Sequence, residues 1–346
     1  MAIIDGTDLD DTILGTAGKD VLQGLLGDDE IYGLSGWDII YGEFDGAIAE
    51  PDVAGDDTIF GGGTLDLLVV GDATTLSGSA NGGNDAIHIS HGPAISHGRN
   101  YGDAVEMTGA AVGGDDSIFG SDWRDIAFGD AGAMRKSAVG GDDILFGFEG
   151  RDHLVGDAPS MMADGSGTGV AGGDDRLNGG GGDDLLEGDA SHLFSSSRMA
   201  DDAARGGNDK LFGQGGNDVL IGDATDMGFD AHGGNDHLNG GSGDDVLSGD
   251  GVVGLFGFIG GNDKLIGGLG DDTFLFRSRF GHDTVKDAEP GEQLVFQNYA
   301  GSEQQFTVSE FTDYTVIEID GFDVKLMGVH DLADGQTVGY DFVFTV

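Results

Sequence analysis

The chain has 346 residues, of which 64 are acidic and 15 are Lys or Arg, so its formal net charge is −49. This charge excludes nucleic acid as a partner, because phosphate binding needs a basic face. The sequence contains no cysteine, which excludes disulfides and thiolate metal sites, and no apolar run reaches the ~20 residues of a membrane span.

A nine-residue repeat begins near the N-terminus, in residues 15–23, 24–32 and 33–41. Each copy has Gly at positions 1 and 4, Asp at position 6 and an aliphatic residue at position 8. This is the consensus of the calcium-binding β-roll nonapeptide. Residues 1–6 have no basic stretch and no long apolar stretch, so we expect no classical signal peptide.

The chemistry of the repeat points to calcium. Glycine lets the chain turn tightly with φ > 0, and the Asp supplies the hard carboxylate oxygen that Ca²⁺ prefers. Seventeen copies have both the position-4 Gly and the position-6 Asp, and a weaker copy contains Asp125. The predicted carboxylate ligands are Asp20, Asp29, Asp38, Asp57, Asp85, Asp116, Asp125, Asp143, Asp152, Asp175, Asp184, Asp209, Asp218, Asp236, Asp245, Asp263, Asp272 and Asp283. The predicted backbone ligands are Gly18, Gly27, Gly36, Gly114, Gly141, Gly150, Gly173, Gly182, Gly207, Gly216, Gly234, Gly243, Gly261 and Gly270.

From residue 55 the repeats come in pairs, separated by a third arm that begins with Gly-Asp-Ala. The unit is 27 to 34 residues long, and we interpret each unit as one coil whose third arms all lie on one flank, the predicted contact surface. In the alternative, an 18-residue coil, the arms would alternate sides.

We expect residues 160–166 and 195–202 to loop out. Two apolar columns in the arms predict core, and a Met-rich binding groove is the alternative. The columns are Leu76, Met107, Met134, Met161, Leu193, Met227 and finally Gly254, and Ala80, Ala111, Ala138, Val170, Ala204, Ala231 and Phe258.

The pattern changes after residue 272. Residues 273–276 and 292–296 still alternate, and residues 316–326 predict a β-hairpin on the Asp320-Gly321 turn. We expect this end to cap the open edge of the roll. The predicted organisation is regular coils over 1–50, a roll with third-arm insertions over 51–288, and a C-terminal β cap over 289–346.

These repeats resemble the RTX, or hemolysin-type calcium-binding, family. The resemblance implies an all-β, right-handed parallel β-roll, export by type I secretion, and folding on extracellular Ca²⁺. The C-terminal segment resembles that of serralysin-type RTX exports, and residues 341–346 resemble a type I secretion signal. An extracellular or cell-surface protein is therefore expected.

The sequence contains neither His-Glu-x-x-His nor Gly-x-Ser-x-Gly, so we expect no catalysis. The favoured hypothesis is a structural or adhesive protein of the cell surface or matrix, with calcium and further copies of itself as partners. The alternatives are a module that binds cell-surface polysaccharide and an accessory part of a polysaccharide-modifying enzyme. His88, His91 and His97 leave open a transition-metal site in one irregular unit.

Overall fold

The computed structural model describes residues 1–49, 52–62, 67–90, 98–165, 168–196, 203–254, 258–277, 279–289, 291–297, 306–311, 313–319, 322–327 and 341–345. Within these residues every regular element is a β-strand, and none of them forms a helix. In this part of the chain, therefore, no helix is long and apolar enough to cross a membrane.

The strands form three sheets, consistent with the predicted all-β roll. From Ala47–Ile48 to Val253–Gly254 the chain visits the third, second and first sheets in turn. The first sheet contains Ala2–Asp5, Asp20–Gln23, Ile39–Tyr41, Leu68–Val70, Arg99–Tyr101, Ile126–Phe128, His153–Val155, Leu185–Glu187, Val219–Ile221, Val246–Ser248, Thr273–Arg277, Gln293–Gln297 and Asp341–Thr345. The second sheet contains Thr12–Leu14, Glu30–Tyr32, Thr58–Phe60, Ala86–His88, Ser117–Ser121, Ile144–Glu149, Arg176–Gly181, Lys210–Gly215, His237–Ser242, Lys264–Leu269, His282–Val285, Phe322–Met327, Tyr314–Ile319 and Phe306–Glu310. The third sheet contains Ala47–Ile48, Ala73–Gly78, Ala104–Gly109, Met134–Lys136, Ser160–Ala163, Ala190–Ser195, Ala224–Met227 and Val253–Gly254.

The length of a coil changes along the chain. Near the N-terminus, Ala2 pairs with Asp20, so two nonapeptides make one two-sided coil. Further along, Ile118 pairs with Leu145, and the coil has gained a third side. The third arms pair with one another in parallel, as Met107 does with Met134. This confirms that each longer unit is one coil with its arms on a single flank.

One expectation about these arms is wrong. Residues 160–163 do not loop out but form a strand of the third sheet, in which Met161 pairs with Met134 and with Leu193. Residue 195 also ends a strand of that sheet. The longer units lengthen the connection that follows the strand, because the strand itself must stay in register with its neighbours. Residues 197–202 of the other predicted loop lie outside the described residues.

The core consists of stacked columns, one residue from each strand. The position-8 residues, such as Leu22, Leu145 and Leu247, are fully buried between the first and second sheets. Both predicted third-arm columns are buried as well, and they form a separate cluster under the third sheet. Gly254, at the end of the first of these columns, lies in the last strand of the third sheet. The core prediction for the arms is therefore confirmed.

Met134→Ala tests the packing of this second cluster. Met134 is fully buried, and we expect the variant to lose about 2–5 kcal/mol of unfolding free energy, because a large side chain leaves a cavity between fixed neighbours. Chemical denaturation in saturating calcium measures the loss. Val112→Ala is the control, since Val112 is 39% exposed and truncating it should change the unfolding free energy by no more than about 0.5 kcal/mol. Equal losses in the two variants would contradict the packing.

A ladder of stacked rings runs along the outer face of the second sheet. It consists of Tyr32, Phe60, His88, Phe119 and Phe146, with centroids 4.7 to 5.6 Å apart and planes within 9° of parallel. Such pairs contribute about 0.5–1.5 kcal/mol each beyond their burial. His88 thus has a packing role in this stack. The transition-metal hypothesis also needs His91 and His97, which lie outside the described residues.

The strands beyond residue 289 extend two of the sheets. Gln293–Gln297 pairs in parallel with Thr273–Arg277, and Asp341–Thr345 pairs with Gln293–Gln297 in turn. Tyr314–Ile319 and Phe322–Met327 form the expected antiparallel hairpin, and one of its strands joins the second sheet. The turn at residues 320–321 and the last residue of the predicted secretion signal are not among the described residues.

Candidate calcium sites

The predicted carboxylates form two columns that follow the roll from coil to coil. The first aspartate column precedes the strands of the second sheet, and the second aspartate column precedes those of the first sheet. All of these side chains are at most 3% exposed. The first column contains Asp29, Asp57, Asp85, Asp116, Asp143, Asp175, Asp209, Asp236, Asp263 and Asp283. The second contains Asp20, Asp38, Asp125, Asp152, Asp184, Asp218, Asp245 and Asp272.

Hydrogen bonds fix one oxygen of each carboxylate. Along the first column, the Oδ1 atom of each aspartate accepts the backbone N–H of the column residue in the preceding coil, at 2.6 to 2.9 Å. Asp116, for example, donates its backbone N–H to Oδ1 of Asp143, and its own Oδ1 accepts the backbone N–H of Asp85. The second column repeats the pattern at 2.7 to 2.9 Å. The remaining oxygen, Oδ2, is therefore held in a fixed direction.

That second oxygen has no protein donor at most positions. Among the described residues, the Oδ2 atoms of nine first-column and six second-column aspartates are buried without a hydrogen-bond partner. A buried, unpaired carboxylate is costly, and proteins accommodate one only by pairing it, by protonating it or by binding a metal ion to it. Fifteen such atoms in two regular columns indicate a repeated cation site.

Backbone carbonyls converge on the same places. A Cβ atom built on Gly102 would lie 1.8 Å from the Gly129 carbonyl oxygen and 1.9 Å from Asp116 Oδ2. The same pair of oxygens recurs one coil along, where a Cβ on Gly129 would meet Gly156 O and Asp143 Oδ2. Carboxylate and carbonyl oxygens gathered without a donor are the ligand set of Ca²⁺. The residues present therefore fit calcium, which would bind between coils and neutralise the carboxylates.

The position-4 glycines are required for two different reasons. In the second column they adopt positive φ, as in Gly150 at 139° and Gly182 at 129°. Close approach is the second reason, and it applies in both columns. A Cβ on Gly114 would lie 1.5 Å from the Gly83 carbonyl oxygen, and one on Gly182 would lie 1.4 Å from the Gly150 carbonyl oxygen. Glycine therefore permits contact between coils in both columns. The predicted turn role applies along most of the second column and, in the first, at Gly27 and Gly281. Ligation by these glycine carbonyls stays a prediction.

Burial raises the pKa of every column carboxyl except that of Asp20, because a carboxylate loses solvation when it leaves water. At Asp20, hydrogen bonds from Thr16 and Ala2 lower the pKa instead. It raises the pKa of Asp152 to about 8 and that of Asp218 to about 7. Burial, followed by repulsion from Asp85, also holds the pKa of Asp116 well above its usual range. Without a cation the folded roll therefore binds protons that the unfolded chain releases.

This difference predicts opposite pH dependences with and without calcium. In the calcium-free chain, folded pKa values of about 6 to 8 at Asp245, Asp218 and Asp152 lie above the unfolded value, which is about 3.9. Stability is then present at low pH and falls as pH rises through the folded values. With calcium bound, protons compete with the ion, and stability falls on acidification instead.

Far-UV circular dichroism between pH 5 and pH 8 measures both cases. We expect the chelated chain to have more β structure at pH 5 than at pH 8, and the calcium-loaded chain to have a higher melting temperature at pH 8 than at pH 5. Parallel pH profiles in the two states would contradict the assignment of these carboxylates to cation sites.

The sequence analysis missed a third set of buried carboxylates. The Asp of each Gly-Asp-Ala motif, and Asp250 of the related Gly249-Asp250-Gly251, are at most 3% exposed, although the motif predicts only the start of the third arm. Its recurrence at the same place in every unit was the available signal. These third-arm aspartates are Asp72, Asp103, Asp130, Asp157, Asp189, Asp223 and Asp250. Glu43 and Glu292 are also buried acids outside the predicted set.

Comparison with known proteins supports the calcium interpretation. The family model for the RTX calcium-binding nonapeptide repeat matches residues 14–46, 54–72, 138–158, 171–192, 203–226, 229–251 and 260–276, just under half of the chain. No curated protein matches the chain. Among solved structures, the extracellular lipase LipA from Serratia marcescens is 22% identical, with a TM-score of 0.21, over 66% of this chain and 40% of the lipase. The chain thus spans about two fifths of the lipase's length.

Proposed function

We propose that this chain, whose repeats match the family model for the RTX calcium-binding nonapeptide repeat, is a secreted protein that folds on extracellular calcium and acts as a structural or adhesive component of the cell surface or matrix. The observation that carries the proposal is the unbroken first aspartate column, from Asp29 to Asp283. It makes calcium a structural part of nearly every coil, so the roll persists where calcium is abundant. RTX proteins are typically secreted, and extracellular modules bind Ca²⁺ at about 10⁻⁴–10⁻³ M.

Exposed apolar side chains support a contact role. Where the chain passes from the second sheet to the first, Leu34, Trp37, Trp123, Phe148 and Leu269 are 45 to 75% exposed. We call these five residues the apolar ridge. These side chains lie along one edge of the roll, where a partner that spans several coils can contact them. The ridge, rather than the third-arm flank favoured by the sequence, is therefore the proposed contact surface.

Light scattering and negative-stain imaging across a calcium titration test this function. We expect the folded chain to assemble into filaments or sheets at millimolar calcium. Trp37→Ser with Trp123→Ser should reduce assembly while the circular dichroism spectrum stays unchanged. As the control, Thr75→Ser alters a half-buried polar residue on the third sheet and should assemble like the wild type. A wild type that folds with calcium but stays monomeric and binds no surface would contradict the proposal.

A groove beside the ridge favours polysaccharide binding as a second function. It measures about 630 Å³ and is lined by Phe148, Asp122, Glu149, Asn178 and Gln214, among others. The Phe148 ring is 48% exposed, so it offers an apolar surface next to carboxylates and amides that can hydrogen-bond to sugar hydroxyls. Phe146, the last ring of the ladder, also lines the groove beside Phe148.

Affinity electrophoresis in gels that contain neutral or acidic polysaccharides tests this second function. We expect the calcium-loaded protein to be retarded by at least one polymer, and Phe148→Ala to abolish the retardation. Leu269→Ala removes an apolar side chain elsewhere on the ridge that is even more exposed, at 75%, and this variant should migrate like the wild type. Retardation that is identical in all three proteins would place binding outside the groove.

A further inference from the structure

The third-arm aspartates hold the necks of the third arms, where each arm leaves and rejoins the roll. The Oδ1 atom of Asp103 accepts the backbone N–H of Gly114 at 3.0 Å, and Asp130 accepts that of Gly141 at the same distance. Equivalent bonds occur in the other units. One carboxylate oxygen therefore closes each neck, and the other oxygen is left over.

That other oxygen faces the next coil and meets no donor. The Oδ2 atoms of Asp103, Asp130, Asp157, Asp189 and Asp223 are fully buried, and they have no hydrogen-bond partner within the described part of the chain.

Successive carboxylates point at one another across a glycine. A Cβ on Gly113 would lie 2.6 Å from Asp103 Oδ2 and 1.8 Å from Asp130 Oδ1, which belong to neighbouring coils. One coil along, a Cβ on Gly140 would meet Asp130 and Asp157 in the same way, at 2.5 and 1.8 Å. Two facing carboxylates without a donor between them repel each other unless a cation lies near.

The last complete unit shows the fullest ligand set. Asp250, a third-arm aspartate, and the first-column residues Asp263 and Asp283 each offer an oxygen within 4.8 Å of the others. All three side chains are at most 3% exposed. They come from the arm, from the strand that follows it and from the next coil, so an ion bound there would join three segments of the chain.

We infer that the third-arm aspartates line a further row of Ca²⁺ sites at the necks, completed by first-column carboxylates and outside the nonapeptide motif. The inference rests on the calcium-dependent folding proposed above. The donors are hard carboxylate oxygens, which suit Ca²⁺ better than a softer metal. Calcium bound at these sites holds each third arm against the roll. The stability of the third sheet therefore depends on calcium separately from that of the other two sheets.

Asp130→Asn tests the inference, because asparagine keeps the oxygen that closes the neck and removes the charged oxygen that faces the next coil. We expect the variant to bind about one or two fewer Ca²⁺ per chain, since each aspartate serves the sites on either side of it. Atomic emission on desalted protein measures the ions. Hydrogen exchange should be faster at residues 134–136 of the third sheet and unchanged at residues 144–149 of the second.

Asp142→Asn is the matched control. It removes the same charge in the next coil, but Asp142 is exposed, and Asn208 and Asn235 occupy the equivalent position in other coils. The control should keep the wild-type ion count and exchange pattern. Asp250→Asn, near the end of the roll, provides a second variant if Asp130→Asn does not fold.

The outcomes separate the two proposals. The further row of sites is overturned if Asp130→Asn or Asp250→Asn folds and keeps the wild-type ion count and exchange pattern. A wild type that binds no calcium overturns the proposed function itself.

Discussion

Removing calcium is expected to unfold the chain at neutral pH. The two aspartate columns and the third-arm row place 25 aspartates inside the roll, each at most 3% exposed, in a chain of net charge −49. Without cations these carboxylates either stay ionised and repel one another, or bind protons at a pH above their usual pKa. Both states cost free energy. On chelation, we expect the β signal in circular dichroism to disappear and the radius of gyration to rise from about 20 Å to roughly 65 Å.

Restoring calcium should reverse both changes, whereas an equal ionic strength of NaCl should not, because screening leaves the coordination sites empty. Magnesium provides a second control, since it prefers near-ideal octahedral geometry and keeps its own waters. A chelated chain that remains compact at pH 8 would show that packing alone holds the roll together.

Gly129→Ala is expected to destabilise the roll strongly, because the added methyl group has no room. The new Cβ would lie 1.8 Å from the Gly156 carbonyl oxygen and 1.9 Å from Asp143 Oδ2. Neither oxygen can retreat, because Asp143 is anchored through Oδ1 and Gly156 donates its N–H to the next coil. The methyl also fills the place where the calcium ligands converge. We expect a loss above about 4 kcal/mol, in the range of exceptional substitutions.

Gly215→Ala is the control for this substitution. Gly215 also lies in the roll, but a Cβ there would meet its nearest neighbours at 3.6 and 3.8 Å, which is ordinary contact. Urea denaturation at fixed calcium compares the two variants, and a calcium titration shows whether the Gly129 variant needs more ion to fold. Similar midpoints for both would contradict the crowding of oxygens at Gly129.

The features with a strict period could be predicted from the sequence. Asp116 and Leu145 recur at fixed positions of the nonapeptide, and the structure buries both, because stacked coils place equivalent residues above one another. The third-arm columns through Met107 and Ala111 were found in the same way. The family model matches the repeats on either side of residues 73–137, and Leu145 lies in one of the matched segments.

What the sequence analysis missed depends on contacts between coils. Asp103 recurs at a fixed position of the repeat unit, which the sequence shows. The burial of its side chain follows from a contact that the sequence does not show, the closure of the arm onto Gly114, eleven residues away. The expected loop at residues 160–166 overlaps the strand at residues 160–163. The extra residues of this unit follow the strand, and the sequence alone does not show where the strand ends. The sequence alone does not distinguish a close contact between coils at Gly114 from a turn with positive φ, since both require glycine.

Counting the calcium bound per folded chain tests the account most directly. The protein is equilibrated at millimolar calcium and desalted, and its calcium is measured by atomic emission beside the hydrodynamic radius of the same sample. The repeat number and the oxygen ligand sets predict on the order of 15–20 ions in a compact chain. A compact chain that holds only a few ions would contradict the view that calcium neutralises the aspartate columns.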